Sequence, residues 1–202
     1  MILDPTRPIN DNCGWEHVAT DLTTFHDYSD SPALTATCSD FNTGILGPKG
    51  EHENKHEMFV KPLYYGSILL DPGSKHTPGA PVICSEFGGV NIVPEKGMDS
   101  GERDWGYTTA SDPEDFLGRL ERLVSAVVKG RQTCGMVYTQ LYVHPLQGSK
   151  RHDAKYQPYR CDIEQEVNGL YAYDRKEKVS AARIKAIFDS AHKFYHEHVA
   201  PK

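Results

Sequence analysis

The chain has 202 residues, of which 38% are hydrophobic and 25% charged, so it can bury one sizeable core and one domain is expected. Its 22 basic and 28 acidic residues leave a net charge of -6, which gives no electrostatic reason to bind nucleic acid or an anionic membrane. No apolar run approaches the roughly 18 residues that span a bilayer. The five cysteines are widely spaced with no CxxC pair, and no secretion signal precedes them, so we expect a reducing, cytoplasmic compartment.

The first half of the chain combines two short candidate strands with long loops. Residues 7–13 and 21–28 are bounded by proline, glycine or polar residues, and the second segment is rich in threonine and aromatic residues. Residues 31–81 are rich in glycine, proline and histidine and show little periodicity apart from residues 58–70, which predicts loops around short elements. The chain opens in a turn at Asp4 and Pro5, as though an upstream segment were missing.

The second half alternates predicted strands and helices. Residues 80–89 form a compact apolar run that suits a buried parallel strand. A capping box at Ser111 and Glu114 begins a predicted helix that ends at Gly130, and residues 134–141 predict the next strand. Apolar residues at helical spacing predict a last helix over residues 180–199. Strands that alternate with helices predict parallel pairing and an α/β fold.

Glu86 is the first candidate for chemistry, because it ends the predicted strand at residues 80–89 and two glycines follow it. A glutamate in this position is about as often a helix cap or an arginine partner. In a parallel α/β barrel, however, the carboxyl ends of the strands face a shared active-site mouth, and the glycines let the backbone turn without crowding a ligand. Glu86 is therefore a candidate catalytic carboxylate.

Several segments together resemble the end of the catalytic domain in glycoside hydrolase family 2. They are PVICSEFGG at residues 81–89, DWGY at 104–107, CGMVYTQL at 134–141 and DIEQEVNGLYAYDRKEK at 162–178. Upstream, RPINDNCGWEH at 7–17 and DLTTFHDYSD at 21–30 resemble earlier strand ends of the same domain. The resemblance covers nearly the whole chain, in the order of the family, and implies the C-terminal half of a TIM (β/α)8 barrel, incomplete and with long loops after the strands.

The resemblance also implies a retaining β-glycosidase, an O-glycosyl hydrolase in which one carboxylate attacks the anomeric carbon and a second carboxylic acid protonates the leaving oxygen. Glu86 would be the nucleophile and Tyr28 the tyrosine that tunes its charge. His26 and Asp27 would line the sugar pocket, and Trp15, Trp105 and Tyr138 would also contact the sugar. Each aromatic residue has a simpler interpretation as a packing residue of the core. The resemblance implies no cofactor.

The chain departs from the family pattern in its acid/base residue. In the family that glutamate follows an asparagine at the end of the fourth barrel strand, and no Asn-Glu pair precedes the first recognisable strand here. The general acid and the first four strands are therefore expected to be absent, which predicts an inactive fragment. The alternative is a carbohydrate-binding or interaction module that kept the half-barrel and lost its chemistry.

A second departure is the polar segment at residues 142–160. Its removal joins Leu141 to Cys161 and restores the family pattern, so we interpret the segment either as a retained intron in the gene sequence or as a surface insertion. Its basic residues and histidines resemble a binding patch, although such loops are usually only solvated.

The sequence gives partial information on the sugar substrate and on metal binding. The glucuronidases of the family carry an Asn-x-Lys motif near the last strand, and Asn168 here is followed by Gly169 and Leu170. The sequence thus favours a neutral sugar, such as a β-galactoside, over glucuronate. His192, His196 and His198 lack the glutamate of an HExxH pattern, so no metal site is predicted. The oligomeric state cannot be read from the sequence.

Overall fold

The computed structural model describes residues 6–12, 14–49, 56–92, 109–139, 141, 169–171 and 175–200. Their central feature is a three-stranded parallel sheet in the order β1-β4-β7, made of β1 (Thr23–Asp27), β4 (Val82–Gly88) and β7 (Gly135–Thr139). Parallel neighbours that follow one another with helices between them confirm the predicted α/β fold with a parallel sheet.

Helices cover one face of this sheet. They are α1 (Ser31–Ser39), α2 (Pro113–Lys129) and α3 (Ala181–His198), and α2 lies between the other two and against β4. The apolar face of α2 is buried, with Phe116 and Leu120 completely enclosed. Helix α2 and the strands therefore form the core of the described part of the chain.

Between Cys84 and Phe87, strand β4 contains one more residue than the facing part of β1 or of β7. Phe25 pairs with Cys84 and the next residue, His26, pairs with Glu86, so Ser85 has no partner on β1. The register with β7 shifts in the same interval, between Cys84 and Phe87. This β-bulge reverses the alternation of side chains, which puts Glu86 on the same face as His26 and leaves Cys84 and Phe87 together on the helix-covered face.

Smaller elements lie outside the main sheet. Strands β2 (Leu63–Tyr65) and β3 (Ile68–Asp71) form an antiparallel hairpin, and β5 (Asn91–Ile92) pairs in parallel with β6 (Thr109–Ala110). A single π-helical turn follows α1 at Phe41–Ile45.

A buried lysine closes the π-helical turn. The ammonium of Lys49 donates to the carbonyl oxygens of Gly44, Ile45 and Gly47, which uses all three of its protons. Burial lowers the pKa of Lys49 to about 8, and this shift is opposed by Asp27, Cys38 and Cys84. Lys49 thus anchors the segment after α1 by its hydrogen bonds.

Three predictions about elements need correction. The described part of residues 7–13 forms no strand; the carbonyl of Ile9 accepts from the amide of Asp21, but the amide of Ile9 donates to the Asp21 side chain and no ladder continues from this contact. The long-loop region contains α1, which has only a weak apolar stripe and is marked chiefly by its N-cap, Asp30. The cap of α2 is Asp112 rather than Ser111; its side chain accepts from the amides of Glu114 and Asp115.

Other predicted boundaries are confirmed. Helix α2 ends before Gly130, β7 lies within residues 134–141, and α3 begins after Ser180. Among the described residues, none of the helices has the length and apolar character required to cross a bilayer.

Candidate active site

Glu86 lies near the carboxyl end of the central strand, on the face of the sheet that the helices leave uncovered. Its side chain is 39% exposed, so the carboxylate is accessible from solvent. The neighbouring residue on β7 at this level, Val137, is exposed on the same face. The carboxylate therefore stands in an open position rather than in a buried ion pair.

Two side chains from the first strand and its extension contact this carboxylate. The hydroxyl of Tyr28 donates a hydrogen bond to Oε2 of Glu86. Nδ1 of His26 lies 3.5 Å from the same oxygen. Burial lowers the pKa of His26, and the charge of Glu86 opposes that shift. The site thus pairs a carboxylate with a phenol and with an imidazole whose pKa is lowered by burial.

The third strand adds a hydroxyl to this group. Oγ1 of Thr139 lies 3.4 Å from the hydroxyl of Tyr28. Three adjacent strands consequently place polar side chains at one edge of the sheet, as expected where the carboxyl ends of parallel strands meet.

Aromatic side chains pack against His26 on the side of the first strand. The indole of Trp15 meets the ring of His26 edge-on, with centroids 4.9 Å apart. His56 stacks on the same indole at 4.6 Å and 13° between the ring planes. Gly14 has a φ of 118°, and a Cβ there would lie 2.7 Å from the ring of His26. A glycine is needed at this position for both its backbone conformation and the close approach of the imidazole.

A hydrogen-bonded network holds the segment that carries Trp15. The imidazole of His17 is completely buried; its Nδ1 contacts Asp11 at 2.7 Å and its Nε2 contacts the carbonyl of Thr24 at 3.0 Å. Asp11 also accepts from the amides of Val18 and Ala19. The network joins the N-terminal segment to β1 two residues before His26, which fixes Trp15 beside the site.

Two of the predicted site residues are not brought to Glu86. Asp27 pairs with Phe87 and Tyr138 also pairs with Phe87, so both lie on the helix-covered face. Asp27 accepts hydrogen bonds from the amide and hydroxyl of Ser29. Tyr138 packs edge-on against Phe87, and burial raises the pKa of its phenol. On this strand it is Thr139, one residue later, that reaches the carboxylate side.

The remaining sequence predictions fall on other parts of the chain. Trp105, Asn168 and the segment 142–160 lie outside the described residues. His192 and His196 on α3 approach each other, with their Nε2 atoms 2.9 Å apart. Within the described ranges, the histidine, cysteine and acidic side chains form no group of three that could hold a metal ion.

A cavity of about 240 Å³ adjoins the site behind Tyr28, between the start of α1 and the middle of α2. Ser29, Gly88, Arg119 and Arg122 are among the residues that line it. Glu86 does not line this cavity, so a ligand that reaches the carboxylate must approach from the uncovered face of the sheet instead.

Two residues of the site, Thr139 and His56, were not predicted from the sequence. Thr139 could have been found from the alternation along β7, which puts it opposite Tyr138. The face that Glu86 occupies could not be predicted, because a β-bulge has no local sequence signal that distinguishes it from a regular strand. His56 lies in a loop, and its contact with Trp15 depends on the fold as a whole.

No protein-family model matches this sequence, and no curated protein matches it either.

Proposed function

We propose that this chain carries the nucleophile half of the catalytic barrel of a retaining β-glycosidase that resembles glycoside hydrolase family 2. The observation that carries the proposal is the contact of Tyr28 and His26 with one carboxylate oxygen of Glu86 at the uncovered face of a parallel sheet. A phenol that donates to a solvent-accessible carboxylate orients one oxygen, which is the requirement for a nucleophile that attacks in a defined direction.

The arrangement of layers supports the barrel part of this proposal. In a (β/α)8 barrel the helices pack on the outside of the strands and the interior faces the other way, with catalytic residues at the carboxyl ends of the strands. Here α2 packs against β4 and lies between α1 and α3, and Glu86 projects from the opposite face of the sheet. We therefore interpret β1, β4 and β7 as the last three strands of such a barrel.

The proposed reaction has two steps. An oxygen of Glu86 forms a bond to the anomeric carbon while the bond from that carbon to the aglycone oxygen breaks, and the leaving oxygen takes a proton from a general acid. Water then attacks the same carbon, Glu86 leaves as a carboxylate, and the water proton passes to the base form of the acid. In this chain Glu86 supplies the nucleophile, and the sequence offers no residue in the position of the family's general acid.

A neutral sugar is the proposed substrate, with a β-galactoside as the leading case. Burial lowers the pKa of His26, which disfavours a positive charge that could bind a sugar carboxylate beside Glu86. Trp15 offers an indole next to the same position, and a flat aromatic ring suits the apolar face of a pyranose.

The proposal can be tested on the chain as it stands, because a good leaving group needs no general acid. We expect 2,4-dinitrophenyl 2-deoxy-2-fluoro-β-galactoside to leave a covalent fluoroglycosyl group on Glu86, detected by intact mass and peptide mapping. Glu86→Gln should abolish the adduct, whereas Glu121→Gln, a change of an exposed carboxylate on α2, should not.

The outcome also decides between the enzyme and the binding module. Saturable binding of galactosides without any adduct, and with no effect of Glu86→Gln, would support a module that holds sugar without chemistry. An adduct that maps to another carboxylate would contradict the role of Glu86 as the nucleophile. The absence of both binding and adduct would contradict the enzyme and the binding module alike.

A further inference from the structure

Two histidines lie one turn apart near the end of α3, on its solvent side. His192 and His196 are both exposed, whereas Ala191 on the same helix is buried. Their Nε2 atoms are 2.9 Å apart and their ring centroids are 4.4 Å apart. The two imidazoles therefore meet at an exposed position, where water or an ion can reach them.

The helix holds the two rings next to each other. Residues four apart in an α-helix are neighbours on one face, with about 5 to 6 Å between their Cβ atoms. Helix α3 continues to His198 and packs on α2, so the backbone that carries both rings belongs to a supported helix. A ligand for the two nitrogens finds them already positioned, which lowers the entropic cost of binding.

The neighbouring side chains leave both rings available. Within the part of the chain that the structure describes, no ion pair involves either histidine, and the charged residues nearby pair with one another: Lys185 with Asp189, and Lys193 with Glu197. The contact between the rings is a hydrogen bond in which one Nε2 donates and the other accepts. Between exposed groups such a bond competes with water and contributes little net stability, so it is easily replaced.

The separation of the two nitrogens matches that of a metal chelate. Two metal–imidazole bonds of about 2.0 to 2.1 Å put their nitrogens about 2.9 Å apart at an angle of about 90°, and about 3.3 to 3.4 Å apart at a tetrahedral angle. The observed 2.9 Å is therefore the spacing of adjacent positions in a square-planar or tetragonal shell.

This geometry narrows the choice of ion. Square-planar and tetragonal shells are typical of Cu²⁺ and Ni²⁺, whereas Zn²⁺ is usually tetrahedral. Imidazole suits all three ions, and the general order of affinity puts Cu²⁺ above Ni²⁺ and Zn²⁺. Geometry and intrinsic affinity thus favour the same ion.

We propose that His192 and His196 form a two-histidine binding site for Cu²⁺ on the outer side of α3. Both Nε2 lone pairs bind the ion, and each neutral ring carries its proton on Nδ1. Water completes the shell, since the histidine, cysteine and acidic side chains of the described ranges form no group of three that could hold a metal.

This site is independent of the proposed glycosidase reaction. Helix α3 packs on α2, on the helix-covered side of the sheet, whereas Glu86 projects from the other face. The ion would therefore act as a structural clip across the last turns of α3.

The test is isothermal titration of the untagged full chain with CuCl₂ in the presence of glycine, a weak competitor that suppresses binding to single histidines. We expect the affinity of the tightest site to fall by at least about tenfold in His192→Ala and in His196→Ala, because each change removes one arm of the chelate. The matched control is His198→Ala, which removes another exposed histidine of the same helix and should bind Cu²⁺ as the wild type does. Thermal unfolding without metal shows whether the three variants remain folded.

The electron paramagnetic resonance spectrum of the first equivalent of Cu²⁺ provides a second measurement. It should show a tetragonal ion with nitrogen ligands in the wild type and in His198→Ala, and should change in His192→Ala and His196→Ala. Affinity that is unchanged in His192→Ala, or that falls equally in His198→Ala, would overturn the proposal. A loss in only one of His192→Ala and His196→Ala would show that a single ring binds, and tighter binding of Zn²⁺ than of Cu²⁺ would contradict the geometry; either result also overturns it.

Discussion

The carboxylate of Glu86 has two neighbours that act on it differently. Tyr28 donates a hydrogen bond and therefore fixes the orientation of one oxygen, whereas His26, whose pKa is lowered by burial, has its Nδ1 3.5 Å from the same oxygen. Loss of either group should alter the reactivity of the carboxylate more than its accessibility, because Glu86 is exposed in both cases.

Tyr28→Phe should slow the formation of the fluoroglycosyl adduct by about tenfold to a hundredfold, because the nucleophile loses the group that orients it. The apparent dissociation constant of the reagent should change less than the rate constant for adduct formation, and the two are separated by measuring the rate at several reagent concentrations. Tyr64→Phe on the exposed hairpin is the control. An unchanged rate in Tyr28→Phe would remove the positioning role of the hydroxyl.

Asp11 stabilises the segment that carries Trp15. The pKa of Asp11 is lowered: burial acts to raise it, but hydrogen bonds from His17 and from the amides of Val18, Ala19 and Asn12 outweigh burial. A carboxyl group whose pKa is lowered by folding stabilises the fold above its unfolded pKa, and this contribution is lost as the pH falls through the folded pKa.

Asp11→Asn should therefore lower the free energy of unfolding by about 1 to 2 kcal/mol at pH 7, because the buried His17 loses its anionic partner. The difference from the wild type should shrink below about pH 4, where the unfolded carboxyl begins to bind a proton. Urea unfolding at pH 7 and pH 3 measures both effects. Asp21→Asn, which affects one hydrogen bond to the amide of Ile9, should cost less at pH 7; an equal cost would contradict the role given to the network.

At the scale of elements, the contact between α1 and α2 depends on a glycine at the end of α2. Gly130 has an ordinary helical conformation, with φ at -63°. A Cβ at this position would nevertheless lie 2.2 Å from the carbonyl oxygen of Cys38. The glycine is required because the C-terminal end of α1 packs directly on its Cα, and backbone atoms cannot move aside as a side chain can.

Gly130→Ala should lower the free energy of unfolding by about 1 to 3 kcal/mol, since the two helices must separate to admit the methyl group. The matched control is Gly118→Ala in the middle of α2, where the nearest atom is the flexible end of Arg122 at 3.3 Å. That change should stabilise the helix by roughly 0.5 to 1 kcal/mol. Thermal or urea unfolding of both variants gives the comparison, and a Gly130→Ala protein as stable as Gly118→Ala would contradict the close contact.

The elements differ in how far their sequences predicted them. Helices α2 and α3 have long apolar stripes and clear ends, and strands β4 and β7 are apolar runs, so all four were predicted near their observed positions. Helix α1 was missed because Ser31 to Ser39 contains only Leu34 and Cys38 as buried residues, too few to form a stripe. The position of Glu86 at the end of a strand was predictable, but the face it occupies depends on an extra residue in β4 that only the pairing with β1 and β7 reveals.

On the scale of the whole molecule, the stability of the described part should be unevenly distributed. Strand β4 is hydrogen-bonded on both sides and lies under α2, whereas β1 and β7 each have one neighbouring strand within the described sheet. The β2–β3 hairpin has neither a second sheet nor a helix packed on it among the element contacts of the described residues.

In dilute solution we therefore expect the amides of β4 to exchange most slowly and those of β2 and β3 to exchange fastest, because local opening of the hairpin exposes little buried surface. Hydrogen–deuterium exchange with mass spectrometry at low protein concentration measures this order. Equal exchange rates in β4 and the hairpin would show that the parallel sheet is not the stable centre of the molecule.

The extra residue in β4 changes which side chains of the strand face the helices. Before Ser85, the side chains of Val82 and Cys84 face the helices. After Ser85, Phe87 faces the helices and Glu86 faces the solvent side. If Ser85 instead paired with His26 in a regular ladder, Glu86 would point into the apolar layer beneath α2 and Phe87 into water. The bulge at Ser85 therefore determines whether the carboxylate of this strand is available for chemistry or becomes a buried charge that the fold cannot accommodate.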